Sequence, residues 1–488
     1  MVDAHAFTSD HVAVVARGNL RISPPVQHER TIWLYKRGDW DGLRNTLFSQ
    51  QWRAFLLEGP EKAADKYQQA IVDSVEKHIP SKRIQVSSKD KPWFNAQCKK
   101  TIRAKQKAHN RWLLSKSEED RIAFINARKD AVRAIRQSRV QYKEKFATKL
   151  QLASAKSWWK IVKEALPSSE GTAIPSLQTN GKVVQDPQAK AEALAKAFAE
   201  FLNLDDDGRE VPKFSDRTDT VLERVNFSAP KILRILQHLD VTKATGPDNI
   251  PNVVLKSCSA ELAGPLSLLF RLRFCSGTFP RTWKSAHVIP TLKPEGDPTS
   301  VGSYRPISLL SCVGKVYESV SNKTLHQYLE SNDLLGDRQY GFRRKRSTLD
   351  CLVAQYQEWI ELLAMGYDIR LLSFDIAKAF DRVWHRGLLK KLYVYGVRGC
   401  LLKVIESFLS DRSLRVVLDG FISREYPVKA GVPQGSVLGP TIFLIYINDM
   451  GDNLANPLHH FADDTTTHSA VPKHEDQHMP PFPYRWIF

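Results

Sequence analysis

Thiols are few and scattered: six cysteines in 488 residues, with no two in a C-x2-C pair. That spacing excludes a zinc ribbon and a disulfide framework, both of which need clustered thiols. Cys98, Cys258, Cys275, Cys312, Cys351 and Cys400 read instead as small buried apolar residues. Long apolar runs are missing too, and none approaches the roughly 20 residues that cross a bilayer. No membrane partner is expected. The first twenty residues include Asp3, His5, Asp10 and His11 and have no basic-then-apolar export pattern, so the expected location is intracellular. Acidic residues are the scarcer charge, 53 against 71 Lys plus Arg, for a net +18.

The excess base is concentrated. Residues 81–150 hold 20 Lys plus Arg against 6 Asp plus Glu. Such a field suits a phosphate backbone, because neutralising phosphates releases condensed counterions. Anionic lipid would instead demand an amphipathic face with buried aromatics, and a plain solvated helix face is the remaining alternative. With 42% hydrophobic and 25% charged residues, the chain reads as globular rather than disordered.

Along the chain, residues 94–166 read as successive helices. Ile125, Val132, Ile135, Tyr142, Phe146 and Leu150 recur at helical spacing, with Arg and Lys on the other faces. Pro167-Ser168-Ser169-Glu170-Gly171 marks a break. Asp186 then caps a helix reaching Phe201, with Pro187 at its first position, and another helix starts at Ser228 and ends near Leu239. The acidic patch Asp205-Asp206-Asp207-Gly208 between them reads as a surface loop. Later, Leu371 to Ile376 reads as a buried strand, Arg415 to Leu418 as another strand, and Ile442 to Ile447 as a buried helical segment. The last eighteen residues hold four Pro and no periodicity, and read as an unstructured tail.

Two acidic segments carry the chemistry. In Phe374-Asp375-Ile376-Ala377-Lys378-Ala379-Phe380-Asp381, Asp375 ends an apolar strand, where an unpartnered carboxylate is costly. A hard divalent cation is one partner for it; capping a following helix is an equal alternative for this segment alone. In Phe461-Ala462-Asp463-Asp464, the Asp463-Asp464 pair between two β-prone runs reads as a tight hairpin turn, and alone would be an ordinary solvated one. Taken together they say more. Phosphoryl transfer to a 3′-hydroxyl uses two divalent ions about 3.5–4 Å apart, and carboxylates from adjacent strands can hold both. Between the two segments, Gly431-Val432-Pro433-Gln434-Gly435-Ser436-Val437-Leu438-Gly439-Pro440 lets backbone approach a ligand closely, with Gln434 able to bond a template base or sugar, unless it is simply a loop leading into a helix. Upstream, Lys293 and Arg305 can reach a triphosphate, although solvated surface charge is the default reading of Lys293. Arg343-Arg344-Lys345-Arg346, in the loop Gln339 to Thr348, suits nucleic acid or equally a nuclear-import signal.

In this order, Tyr304 to Leu310, Gln339 to Thr348, Phe374 to Asp381, Gly431 to Pro440 and Phe461 to Asp464 resemble the sequence blocks of non-LTR (LINE-type) retrotransposon reverse transcriptases, the jockey-like group in particular. The resemblance covers roughly residues 230–470. It implies an α+β fold, a right-hand polymerase with fingers and an antiparallel palm sheet, preceded by a mostly helical basic N-terminal region. Carried over by position, Asp375, Asp463 and Asp464 are the catalytic aspartates, with Asp375, the Ile376 backbone carbonyl and Asp463 as ligands of two Mg²⁺ (or Mn²⁺). Phe380 screens the sugar 2′ position, and Gln434, Gly435, Arg305 and Lys293 contact the nucleotide. RNA template, DNA primer or target and dNTPs are the implied partners, in the nucleus and in a cytoplasmic ribonucleoprotein.

The resemblance also implies a layout. Residues 1–40, with Ser9-Asp10-His11, resemble the end of an endonuclease domain; 41–170 form a basic helical linker, 171–240 a helical extension, 241–470 the fingers and palm, and 471–488 a tail. The family continues past the Asp-Asp turn with a thumb, whereas 24 residues follow Asp464 here, so a chain truncated at both ends and without a thumb is expected. A catalytically dead nucleic-acid-binding remnant is the alternative, and a maturase or telomerase-like polymerase a third, minor one.

Overall fold

A computed structural model describes residues 28–86, 93–153, 158, 161–162, 174–179, 181–204, 206, 209–452 and 454–472. Ser9-Asp10-His11, the break at 167–171, most of the acidic patch at 205–208 and the tail from 473 lie outside the described residues. The chain separates into two compact units, residues 1–30 with 83–173, and residues 31–82 with 174–488. Helix and sheet are mixed, in keeping with an α+β class.

In the larger unit, helices α1 (Trp40–Ser49), α2 (Trp52–Leu56) and α3 (Pro60–His78) share one core with residues far downstream, Leu43, Leu47, Tyr67 and Ile71 clustering with Phe227, Phe270 and Tyr317. The expected linker 41–170 is therefore not one piece, because its first part buries its apolar face with the later residues. In the smaller unit, α4 (Ala96–Ser115) and α5 (Glu118–Gln151) form an antiparallel pair. Asn95 and Ser117 cap them through side-chain acceptors, and Trp112 stacks on Phe124 at 5.6 Å. Cys98, Ala131 and Ser138 are what this pair buries. Val132, read as part of the apolar stripe, is 60% exposed.

Returning to the larger unit, α6 (Pro187–Phe201) starts at the Asp186 cap, whose carboxylate accepts the Ala189 N–H at 2.8 Å, and α7 (Ala229–Gln237) starts after Ser228. After α8 (Asn252–Ser257) and α9 (Ser259–Cys275) come β1 (Ser285–Leu292) and β2 (Tyr304–Leu309), antiparallel to each other. Helices α10 (Cys312–Ser331) and α11 (Thr348–Ala364) follow, then β3 (Tyr367–Phe374), α12 (His385–Val394) and α13 (Gly399–Leu409). Next are β4 (Arg412–Leu418), β5 (Phe421–Ile422), β6 (Tyr426–Val428) and α14 (Gly439–Ile447), and finally β7 (Leu458–Phe461) and β8 (Asp464–Pro472).

Two sheets matter for the site. The first runs β6-β4-β1-β2, with β5 on β4. On β4, Arg412, Leu414, Val416 and Leu418 alternate inward, the period of a pleated strand, and Leu414, Val416 and Leu418 meet Leu194 and Phe198 of α6. The second is antiparallel, β7-β8-β3. Strand β3 was expected to be buried and to reach Ile376. It ends at Phe374 and lies at the sheet edge, and Leu371 is 52% exposed. In contrast, α14 is buried nearly all round, as its unbroken apolar run requires. Helix α11 begins with a capping box, Ser347 and Asp350 bonding each other's backbone N–H. It leaves a stripe of Leu349, Leu352, Val353, Tyr356, Ile360 and Leu363 uncovered among the described residues.

Candidate active site

The second sheet brings the three aspartates together. Phe461 pairs with Asp464 across a two-residue turn, Ala462-Asp463, in which Ala462 adopts φ 60°. Thr465 pairs with Phe374, so continuing the antiparallel register by one residue sets Asp464 opposite Asp375. Residues 89 apart in sequence thus become cross-strand neighbours, with Cβ atoms typically about 5 Å apart. Asp463 is half-buried, and its carboxyl is held above the usual range, first by burial and then by the charges of Asp464 and Asp375. Arg305, exposed on β2, is the cation that opposes this shift.

A second layer holds the turn in place. The buried Gln339 side chain accepts the N–H groups of Ala462 at 3.0 Å and Gly341 at 2.8 Å through Oε1, and donates from Nε2 to the Ala462 carbonyl at 3.4 Å. Tyr340 N–H donates to the His460 carbonyl and His460 N–H to the Arg338 carbonyl, so the segment adds a short parallel pairing to β7. Approach is close enough that a Cβ on Gly341 would lie 2.2 Å from the Ala462 nitrogen. Gln339 carried no functional signal in the sequence, since its partner is 123 residues downstream.

Phe380 sits in a 3-10 turn, Ala379–Arg382. Its ring stacks on Phe443 of α14 at 4.2 Å and meets Phe342 edge-on at 5.9 Å, which leaves it little freedom to rotate. Val432 N–H donates to the Phe380 carbonyl at 2.8 Å, tying the Gly-rich loop to this turn. Gln434 turns its amide onto Asp381, donating to Oδ1 at 2.8 Å, while its own carbonyl accepts the Ser308 N–H. Gly435 has φ +107° and lies against the Ser308 carbonyl, 2.6 Å from where a Cβ would sit. A side chain there would force the loop off β2. Buried Glu318 holds the loop from behind, accepting Val437 and Leu438 N–H at 2.7 and 3.0 Å. Neither Glu318 nor Asp381 was singled out as a site residue from the sequence.

The basic residues divide. Lys293 Nζ lies 3.4 Å from the Gly302 carbonyl, and its charge reaches Asp381 and Lys378. Lys378, also missed, rests over the Phe201 ring at 2.9 Å, and burial, then Arg382 and Lys293, push its amine down. Arg343 is not free to grip a backbone. It forms a two-pronged pair with Glu330 at 2.9 and 2.6 Å, with a side chain only 7% exposed. Arg346 bonds the Asp337 carbonyl and lies over the Tyr340 ring. Arg344 and Lys345 are exposed. The Ile376 carbonyl accepts the Ala379 N–H at 3.2 Å, which occupies one of its two lone pairs.

Does this site suit a divalent cation? Its donors are all carboxylate oxygens, the ligands that hard cations prefer. The crowding that lifts Asp463 is also what a cation would relieve. The residues fit.

Comparison with known proteins places the chain beside reverse transcriptases. Residues 292–482 match the family described as reverse transcriptase (RNA-dependent DNA polymerase). That segment is similar to reverse transcriptases, and proteins of LINE-type mobile elements are among the chain's relatives. It is 35% identical over 223 residues to the RNA-directed DNA polymerase from mobile element jockey of Drosophila melanogaster, covering 45% of this chain and 24% of that protein. Over 371 residues it is 26% identical to the probable RNA-directed DNA polymerase from transposon BS of the same species, covering 72% of this chain and 40% of that protein. The probable polymerase from the X-element of that fly is 28% identical over 369 residues, covering 72% and 39%. The chain spans two fifths or less of the length of these relatives.

Proposed function

We propose that this chain is the polymerase core of a non-LTR retrotransposon protein, adding deoxynucleotides to a primer 3′-hydroxyl along an RNA template. The observation that supports this most is the placing of Asp375, Asp463 and Asp464 at the same end of one sheet, close enough for the charges of Asp375 and Asp464 to act on Asp463, with Arg305 opposing them. In this reading β7, β8 and β3 are the palm sheet, and β1 and β2 belong to the fingers. The smaller unit serves as a basic arm, and residues 1–40 descend from an endonuclease. The protein works in the nucleus and in a cytoplasmic ribonucleoprotein.

Asp375 and Asp463, with the Ile376 carbonyl, would hold two Mg²⁺ or Mn²⁺, with Asp464 adding negative field. Ions there supply charge neutralisation at the attacking 3′-oxygen and the departing pyrophosphate. Arg305 and Lys293 bind the triphosphate, Arg305 as a fork and Lys293 as a point charge. Lys378, close to Lys293 and Asp381, adds to the same positive wall. Gly435 lets the backbone come close to the nucleotide. Gln434 keeps the loop in register through Asp381 and presents it to the base pair. Arg344 and Lys345 meet the template backbone, with Arg343 and Arg346 bracing their loop.

The test is primer extension on an RNA template with dNTPs, with and without a chelator. Template-dependent incorporation that the chelator abolishes supports the proposal, and its complete absence at every divalent ion tried counts against it. The wedged Phe380 gives a sharper expectation. Trimming it to Val should open room for a 2′-hydroxyl and reduce the preference for dNTP over rNTP by roughly 10–200-fold, the range of a 1–3 kcal/mol contact. Competing single-nucleotide incorporations read this directly, and unchanged discrimination would remove Phe380 from the role.

A second reading, a nucleic-acid-binding protein without polymerase activity, is favoured by the exposed basic faces of α4 and α5. It predicts binding that weakens steeply with salt. In the triple variant Arg136→Gln, Lys143→Gln, Lys145→Gln, the slope of log affinity against log salt should flatten by roughly two to three units. An unaltered slope means that this arm does not contact the phosphates.

A further inference from the structure

Behind the aspartate turn, a second cluster of ligating side chains plays no part in the polymerase reading. His459 on β7 pairs in register with Thr466 on β8, and His468, two residues further, shares that face. Helix α11 supplies Glu358 to both. His459 Nε2 lies 2.9 Å and His468 Nε2 3.6 Å from the same oxygen, Glu358 Oε2, and all three ligand atoms fall within 4.8 Å of one another. The imidazoles are 1% and 5% exposed, the carboxylate 29%.

As a plain hydrogen-bonded group, this arrangement is poorly satisfied. One carboxylate oxygen serves two buried rings, and only His459 comes within bonding distance. His468 has no partner at Nδ1 and meets Glu358 beyond hydrogen-bond range at Nε2, an expensive way to bury an imidazole. A cation removes the conflict. Ligands about 2.0–2.2 Å from a tetrahedral Zn²⁺ stand roughly 3.3–3.6 Å apart; His468 Nε2 stands 3.6 Å from Glu358 Oε2, at the top of that range, and His459 Nε2, at 2.9 Å, would draw back to admit the ion. Two imidazoles and one carboxylate suit Zn²⁺ and its neighbours, whereas Mg²⁺ prefers oxygen alone. Arg338 donates to the other Glu358 oxygen at 3.0 Å and orients the carboxylate as an outer partner would.

The geometry points to a transition-metal site, for Zn²⁺ by its chemistry, formed by Glu358, His459 and His468. It fastens α11 to the two strands whose turn carries Asp463. His468 lies four residues from Asp464 on β8, about 13 Å along the strand, so the two metal centres are separate. Glu358 is the one partly exposed ligand of the three.

The probe is Co²⁺, titrated into chelator-treated full chain with millimolar Mg²⁺ present to occupy the carboxylate site. One tight Co²⁺ per chain with a nitrogen-ligated visible spectrum is expected. His459→Ala, His468→Ala and the milder Glu358→Gln should each weaken it at least roughly tenfold to a hundredfold, since even outer partners cost about that much. His238→Ala, on α7's exposed end, should leave it unchanged. Circular dichroism identifies the folded variants. Absence of stoichiometric Co²⁺ binding to the unmodified chain overturns the site, as does undiminished binding in folded Glu358→Gln or in either folded histidine variant.

Discussion

Asp463→Asn is expected to lower primer extension by roughly a thousandfold or more, about 4 kcal/mol of barrier, while the metal-free protein melts at a higher temperature. The two effects share one cause. Burial and the neighbouring charges of Asp464 and Asp375 hold the Asp463 carboxyl above its ordinary value. An acid whose folded pKa is raised costs the native state stability once it ionises, so the penalty is absent below the unfolded value of about 3.9. It grows as pH rises through the folded value and is complete above it. Asparagine is neutral throughout and escapes the penalty, so the gain should be present at neutral pH and vanish in acid. Melting curves of both proteins in chelator across that pH window, with single-turnover extension alongside, read both effects. An active asparagine variant would show that Asp463 holds no essential ion.

Gln339→Leu should produce the second largest change, a fall in turnover of about 10–100-fold together with a lower melting temperature. Removing the amide leaves the buried N–H groups of Ala462 and Gly341 without acceptors, at about 1–3 kcal/mol each. The turn carrying Asp463 then loses its fixed position, and a displacement near 1 Å in a positioned group costs about a hundredfold. Gln339→Glu keeps the acceptor and loses only the weak bond to the Ala462 carbonyl, so it should recover much of the rate. Comparing turnover and KM for the dNTP separates the explanations. A positioning role moves turnover in Leu and restores it in Glu; loss of stability alone without a change in turnover would reduce Gln339 to a structural part.

Much of this was legible in the sequence because it is local. The Asp186 and Ser228 helix starts and the apolar run of α14 each depend on residues within a few positions, and the structure has them where the sequence put them; the hairpin turn read at Asp463-Asp464 lies one residue earlier, at Ala462-Asp463, with Asp464 already paired in β8. The nearness of Asp375 to Asp463 and Asp464 was legible only from the two segments taken together, since each alone reads equally well as a helix cap or a solvated turn. What stayed hidden depends on distant partners. Gln339 looks like any loop glutamine until Ala462 arrives, and Arg343 like any template-gripping arginine until Glu330 claims it. The core shared by α1–α3 and Tyr317 likewise joins segments about 250 residues apart, for which periodicity offers no signal. Strand β3 has an apolar sequence that suggested burial, but Leu371 stays 52% exposed, because side chains alternate between two faces and that of Leu371 is not covered among the described residues.

Whether the residues at 375 and 463 serve one cation centre can be read without any polymerisation. Mn²⁺ titration, followed by its magnetic resonance signal, should find ions bound by the unmodified chain that are lost in Asp375→Asn and equally lost in Asp463→Asn, with the double variant no worse than either. Groups acting as a unit behave in that non-additive way. If the losses instead multiply, or if Asp375→Asn binds Mn²⁺ as well as the unmodified chain, the two carboxylates work apart and the polymerase account fails with them.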